Sequence, residues 1–229
     1  MKKLSVTLSR TEIILGLLLI VLQLLVLPSF LFLVNAFLGN PLTDVQINFI
    51  FFCMMFVLTT VIMHRFLCAC GKLSLAQPFR TLRAAGLGLL FYWIGSTALG
   101  ILILYLYPDF INVNDASIGA LTQENQGLMI IGIVFLVPVV EETLYRGVIF
   151  QSLSRRSIFL AYAVSTAVFS ALHVVGYVGL YDPPLLFVCF LQYIPAGICL
   201  CWAYQKADSI WAPILMHITI NQVGILSMR

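Results

Sequence analysis

Residues 130–150 read IIGIVFLVPVVEETLYRGVIF. The stretch is long and apolar enough to cross a bilayer as a helix, which takes about 20 residues because no backbone group can stay unpaired in hydrocarbon. Yet it carries Glu141, Glu142 and Arg146. An ionisable side chain in a span costs about 2.5–3.5 kcal/mol, so three unpaired ones would cost roughly 8–10 kcal/mol, comparable to the stability of a whole domain. Such residues point to function. Side chains four apart share a helix face, so Glu142 and Arg146 are expected to pair within the helix. Glu141 points about 100° away from Glu142 and lacks that partner, which leaves it free to accept a proton.

The rest of the chain agrees that the solvent is lipid. Of 229 residues, 62% are hydrophobic and only 9% charged, with a mean hydropathy of +1.06. That is too little charge to cover a water-soluble fold, whose charged share is roughly one quarter. Seven spans are expected near 12–38, 46–66, 84–107, 126–150, 157–177, 185–204 and 209–227, joined by short connections. The expectation is an all-α, polytopic transmembrane bundle forming one integral membrane domain over 1–229. Pro28 is expected to kink the first span. That span runs to about Phe37, too long for a signal peptide's apolar region of ~7–15 residues. The segment from His64 to Arg83 mixes Leu73, Leu75 and Phe79 with basic residues and is read as interfacial. Within it, Cys68 and Cys70 supply too few ligands for a metal site.

Charge gives an orientation. With a cytoplasmic N-terminus, Lys2, Lys3, Arg10, Arg65, Lys72, Arg80, Arg83, Arg155, Arg156 and Lys206 all fall inside, as the excess of Lys and Arg in cytoplasmic loops requires. Asp44, Asp109, Asp115, Glu124 and Asp182 fall outside. Arg229 then lies at the outer end and Arg146 within a span. The net charge of +3 reflects this topology and gives no reason to invoke a nucleic acid. The expected partners are the bilayer, taken to be the plasma membrane, and a membrane-associated protein or peptide.

Two more spans carry polar residues. The fifth contains Phe169 and His173, one turn apart, and the seventh contains His217 and Asn221, also one turn apart. At ~1.5 Å per residue from Arg155, Arg156 or Lys206, Glu141 lies about 21 Å deep, His173 about 26 Å, His217 about 16 Å and Asn221 about 22 Å. One layer can hold them all. Peptide hydrolysis needs an activated water, a base for its proton and donors for the oxyanion. Glu141 is assigned as the base, His173 as its partner in orienting water, and His217 with Asn221 as oxyanion donors. No cofactor is required by this reading. Glu141, His173 and His217 also make up a catalytic zinc set, so a zinc-dependent version stays open. No span contains Asp, and no H-E-x-x-H occurs, which sets aside an aspartyl dyad and the usual zincin helix.

These residues stand in three motifs: EETLYRG at 141–147, FSALH at 169–173 and HITIN at 217–221. In that order and on separate spans, they resemble the E-E-x-x-x-R, F-x-x-x-H and H-x-x-x-N motifs of the CPBP family. These are the CaaX protease and bacteriocin-processing intramembrane enzymes, also called the Abi family. The resemblance covers about the second half of the chain. It implies a helical membrane fold with a cavity opening to the cytoplasm, and endopeptidase activity on membrane-associated substrates. By motif position, Glu141 would be the catalytic glutamate and Glu142 and Arg146 its supports. His173 would be the second water-activating residue, and His217 with Asn221 the oxyanion site. Members are described both as metalloproteases and as metal-free, glutamate-dependent enzymes. The competing class is a non-enzymatic immunity or regulatory protein on the same scaffold. A transporter fits less well, since the charges cluster at one place and no inverted repeat is visible.

Overall fold

The computed structural model describes residues 4–227, so Lys2, Lys3 and Arg229 of the charge argument lie outside the described residues. It is helical throughout, and no sheet forms among those residues. In chain order the helices are α1 (Arg10–Phe37), α2 (Asp44–Ile62), α3 (His64–Ala76), α4 (Pro78–Leu106) and α5 (Val113–Glu124). Then follow α6 (Gln126–Ser154), α7 (Ile158–Leu172), α8 (Pro183–Gln192), α9 (Ile194–Ala207) and α10 (Trp211–Ser227).

Six stretches are long and apolar enough to cross a membrane: α1, α2, α4, α6, α7 with its following turn, and α8 with α9. The segment expected as the seventh span forms α10, a helix of 17 described residues that is not among these six. At ~1.5 Å per residue it is about 26 Å long, slightly short of a ~30 Å hydrocarbon core.

Local chemistry sets the helix starts. Ser9 with Glu12, and Thr43 with Gln46, form capping boxes at α1 and α2. Asn125 and Ser157 cap α6 and α7. Pro78 and Pro183 stand in the first turns of α4 and α8, where a missing N–H costs nothing. Two wider π turns, Leu22–Val26 and Ile130–Leu136, end just before Pro28 and Pro138. Proline cannot donate to the carbonyl four residues back and its ring crowds it, so the helix widens there. A third π stretch, Thr143–Phe150, carries Arg146.

Two elements depart from expectation. The connection between the third and fourth spans is not a short loop but holds α5, a 12-residue polar helix capped by Asn112. The sixth span is interrupted at Tyr193, with Pro195 just beyond. The interfacial segment at His64 is α3, docked through Phe66, Leu67 and Cys70. Burial pushes the Cys70 thiol up to about 11, which keeps it protonated and a poor metal ligand or nucleophile.

The two ends of the bundle differ in charge. At the basic end, Arg80 donates to the Lys206 carbonyl at 2.9 Å and lies 3.8 Å from Asp208. The opposite, acidic end carries Asp109, Asp115, Glu124 and Asp182 in the connections around α5 and before α8.

Candidate active site

The site is built on α6. Glu142 and Arg146 pair at 3.0 Å and neither is exposed at all, so the expected intrahelical ion pair forms. Burying two charges is tolerable only when each is paired and further hydrogen bonded. Arg146 also donates to the Gly197 carbonyl of α9 at 3.4 Å, and its guanidinium lies 4.5 Å from the centre of the Phe169 ring. Gly197 lets the backbones close up, since a Cβ there would meet the Thr166 side chain at 2.7 Å.

The Glu142 oxygen that binds Arg146 also accepts from His217 Nδ1 at 2.8 Å. With Nδ1 facing a carboxylate paired to Arg146, the imidazole is held in one orientation, with Nε2 turned away from Glu142. His217 is 4% exposed. One turn on, Asn221 is half-buried, and its Nδ2 donates to the Ile133 carbonyl of α6 at 2.9 Å. A side-chain amide has two N–H groups, so one remains for another acceptor.

His173 ends α7. Its Nδ1 lies 2.8 Å from the Phe169 carbonyl, which can only accept, so Nδ1 carries a proton and Nε2 presents its lone pair in the neutral ring. The Phe169 ring lies between the histidines, 4.6 Å from His173 and 5.8 Å from His217, centre to centre. Glu141 is half-buried, next to Glu142 in the chain and within electrostatic reach of His217 and Arg146. One of its oxygens, Oε2, is enclosed and has no hydrogen-bond partner. The adjacent carboxylates differ in their partners: Glu142 is bound by Arg146 and His217, both at Oε1, whereas Glu141 has neither bond, although Oε2 of Glu142 is enclosed without a partner as well.

Contacts of Phe169, Arg146, Glu142, His217 and His173 link those residues directly. Asn221 joins through the backbone of α6, and Glu141 by its place beside Glu142 and its field. Both histidines are held through Nδ1, in the manner of metal ligands with a second-shell partner. However, among the described residues no three His, Cys, Asp or Glu side chains come close enough to hold a metal ion together. As they stand, Glu141, His173 and His217 do not form a three-ligand zinc set.

One residue of the site was not anticipated. Tyr193, at the break between α8 and α9, stacks on His173 with ring centres 4.1 Å apart and planes 27° from parallel. Its hydroxyl donates to Asp115 at 2.8 Å and accepts from the Asn114 amide at 3.0 Å, and Asn112 lies 3.3 Å away. Burial holds the Asp115 carboxyl above its usual range, although the bonds from Tyr193 and Asn114 favour its ionised form. The signal in sequence was the polar Gln192-Tyr193 interrupting an apolar span just before Pro195. It looks like an interface anchor, and only the fold brings it to His173.

No curated protein and no solved structure matches the chain. Residues 123–223, a little under half of it, match the family described as type II CAAX prenyl endopeptidase Rce1-like. That segment begins at the end of α5 and contains all three motifs on α6, α7 and α10. Over residues 123–223 the chain is therefore similar to the Rce1-like type II CAAX prenyl endopeptidases, a group within the CPBP family.

Proposed function

We propose that the chain is an intramembrane endopeptidase of the type II CAAX kind that hydrolyses a peptide bond in a membrane-associated protein or peptide with glutamate-activated water and no metal. The observation that carries this reading is the enclosed, unpartnered oxygen of Glu141 beside a histidine whose Nδ1 is bound by Glu142. The match of residues 123–223 to the family supports the activity in general.

In this reading Glu141 removes a proton from water while Nε2 of His173 accepts a hydrogen bond from the same water and aims it. The water oxygen bonds to the scissile carbonyl carbon. The resulting oxyanion is met by His217, protonated at Nε2, and by the second N–H of Asn221. The buried group Arg146, Glu142 and protonated His217 carries a net charge of +1, which the oxyanion cancels. Collapse then breaks the C–N bond, and the proton held by Glu141 passes to the leaving amine. Tyr193 keeps the His173 ring in register for the first step.

The experiment compares released peptides and membrane proteins of cells carrying the wild type with those carrying Glu141→Gln. Peptides lost only in the variant identify the substrate, whose cleavage by purified protein is then assayed with and without chelator. Unchanged processing by Glu141→Gln and by His173→Ala would sink the enzymatic reading and favour the immunity or regulatory class. Stoichiometric bound zinc whose removal abolishes cleavage would overturn the metal-free mechanism.

A further inference from the structure

Helix α3 is too short to span a bilayer and has two unlike faces. Phe66, Leu67 and Cys70 turn inward and are buried. On the other side Arg65, Cys68, Lys72 and Leu75 follow one another at helical spacing, and all four are exposed. The first turns of α4, which begin directly after Gln77, expose Phe79, Leu82 and Arg83. At ~1.5 Å per residue α4 is about 44 Å long, well beyond a ~30 Å hydrocarbon core, so these turns can stand in the headgroup layer beside α3.

The cations of this surface lack counter-charges. Both carboxylates of the basic end are engaged, Glu12 by the Ser9 N–H at 2.7 Å and Asp208 by the Ser5 N–H at 2.7 Å. Among the described residues, Arg65, Lys72 and Arg83 make no ion pair and no hydrogen bond. Beside them Leu75, Phe79 and Leu82 are 82%, 76% and 61% exposed. Unpaired cations alternating with bare apolar side chains match an anionic lipid surface, which offers phosphate and acyl chain together. An acidic protein partner would answer the charges and leave the apolar groups unexplained.

The inner face of α3 grips the helices of the candidate site. Ser74 donates to the Ser209 hydroxyl at 2.7 Å, Ser209 to the Cys70 carbonyl at 3.0 Å, and Trp211 Nε1 to the Leu67 carbonyl at 3.3 Å. These bonds fix the start of α10, which carries His217 and Asn221. On α6, a Cβ at Gly147 would meet the Phe66 ring at 3.1 Å, so that ring lies against the backbone next to Arg146.

We propose that α3 and the first turns of α4 form a docking surface for anionic phospholipid headgroups, and that the docked lipid steadies α10 for catalysis. Only the second clause rests on the endopeptidase reading above.

The test uses the full chain in phosphatidylcholine vesicles, with a fluorophore on Cys68, the exposed native thiol. Quenching by spin-labelled phosphatidylglycerol is compared with quenching by spin-labelled phosphatidylcholine at equal mole fraction. Each Lys or Arg near the surface is worth about fivefold in local affinity, so the quenching ratio at Cys68 is expected to be at least about 3. It should fall to near unity in about 1 M salt, and in the variant combining Arg65→Gln, Lys72→Gln and Arg83→Gln. A fluorophore on Tyr105→Cys at the far end of α4, with Cys68→Ser, should show no preference. Equal quenching by both lipids at Cys68 overturns the proposal and leaves the cations to an acidic protein partner. A preference that survives the triple substitution, or that is as large at Tyr105→Cys, also overturns it. Cleavage should rise at least about 5-fold when phosphatidylglycerol is added, and not in the triple variant. Cleavage that ignores the lipid while quenching shows the preference overturns the coupling to α10 alone; the quenching arm needs no activity.

Discussion

Helices α4 and α6 are each 29 residues long with the same mean hydropathy of 2.0 in their most apolar 18 residues, yet 11% of that stretch is buried in α4 and 56% in α6. In water, equal hydropathy would predict similar burial. In lipid it does not, because a leucine is equally well solvated by acyl chains and by other leucines, so apolarity says that a helix spans and nothing about where it stands. What places α6 at the centre is its charge. Glu142 and Arg146 cannot face lipid cheaply, and the groups that pair with them arrive on α9 and α10. In this molecule the polar residues select the neighbours, and the apolar ones accept whatever results.

If that contrast is right, substitutions in α6 and against it should weigh far more than any in α4. The largest effect is expected from Glu141→Gln, which should lower cleavage by about 10²–10⁴-fold, the usual weight of a general base, with thermal stability in detergent unchanged. Glu142→Ala should destabilise by about 3–5 kcal/mol, read as a fall in melting temperature, because it strands a buried guanidinium. Replacing the pair together, Glu142→Leu with Arg146→Met, should recover most of that stability but no activity, since His217 still lacks its acceptor; recovered activity would show that the pair matters only for packing. Tyr193→Leu should reduce kcat by about 10- to 100-fold with little change in KM, and Tyr193→Phe by less, because the stack survives without its hydroxyl bonds. An equal rise in KM would assign Tyr193 to binding rather than to holding His173. Gly197→Ala should cost about 1–3 kcal/mol through overpacking against Thr166. At the small end, Leu104→Ala on the exposed side of α4 should shift stability by no more than about 0.5 kcal/mol. A large loss there would break the contrast outright.

The all-helical membrane fold was legible from apolar run lengths, since the bilayer imposes one length on every span. The Glu142–Arg146 pair was legible too, because i,i+4 spacing is a local rule. The Glu142–His217 bond was not, as it joins residues 75 apart in sequence and depends on which helices are neighbours. His217 was read as an oxyanion donor together with Asn221, and the engagement of its Nδ1 by Glu142 was not foreseen. Helix α5 escaped notice because its composition is that of a polar loop, and its Asn112 cap gives only a weak signal by itself. With α5 unseen, the anchoring of Tyr193 by Asp115 and Asn114 could not be read, and nothing local to Tyr193 marked it as part of the site.

The hydrogen bonds that hold residues 5–8 to Asp208 and Gln151 also bear on how the chain is made. Ser5 and Asp208 are 203 residues apart in sequence, and the Leu8–Gln151 bond spans 143. Residues 5–8 are synthesised before either partner, and Asp208, which Ser5 binds, follows only once the sixth spanning stretch is complete. Closure of the basic end is therefore a late step of biogenesis, and a nascent chain halted before α10 would hold Glu142 without its His217 partner.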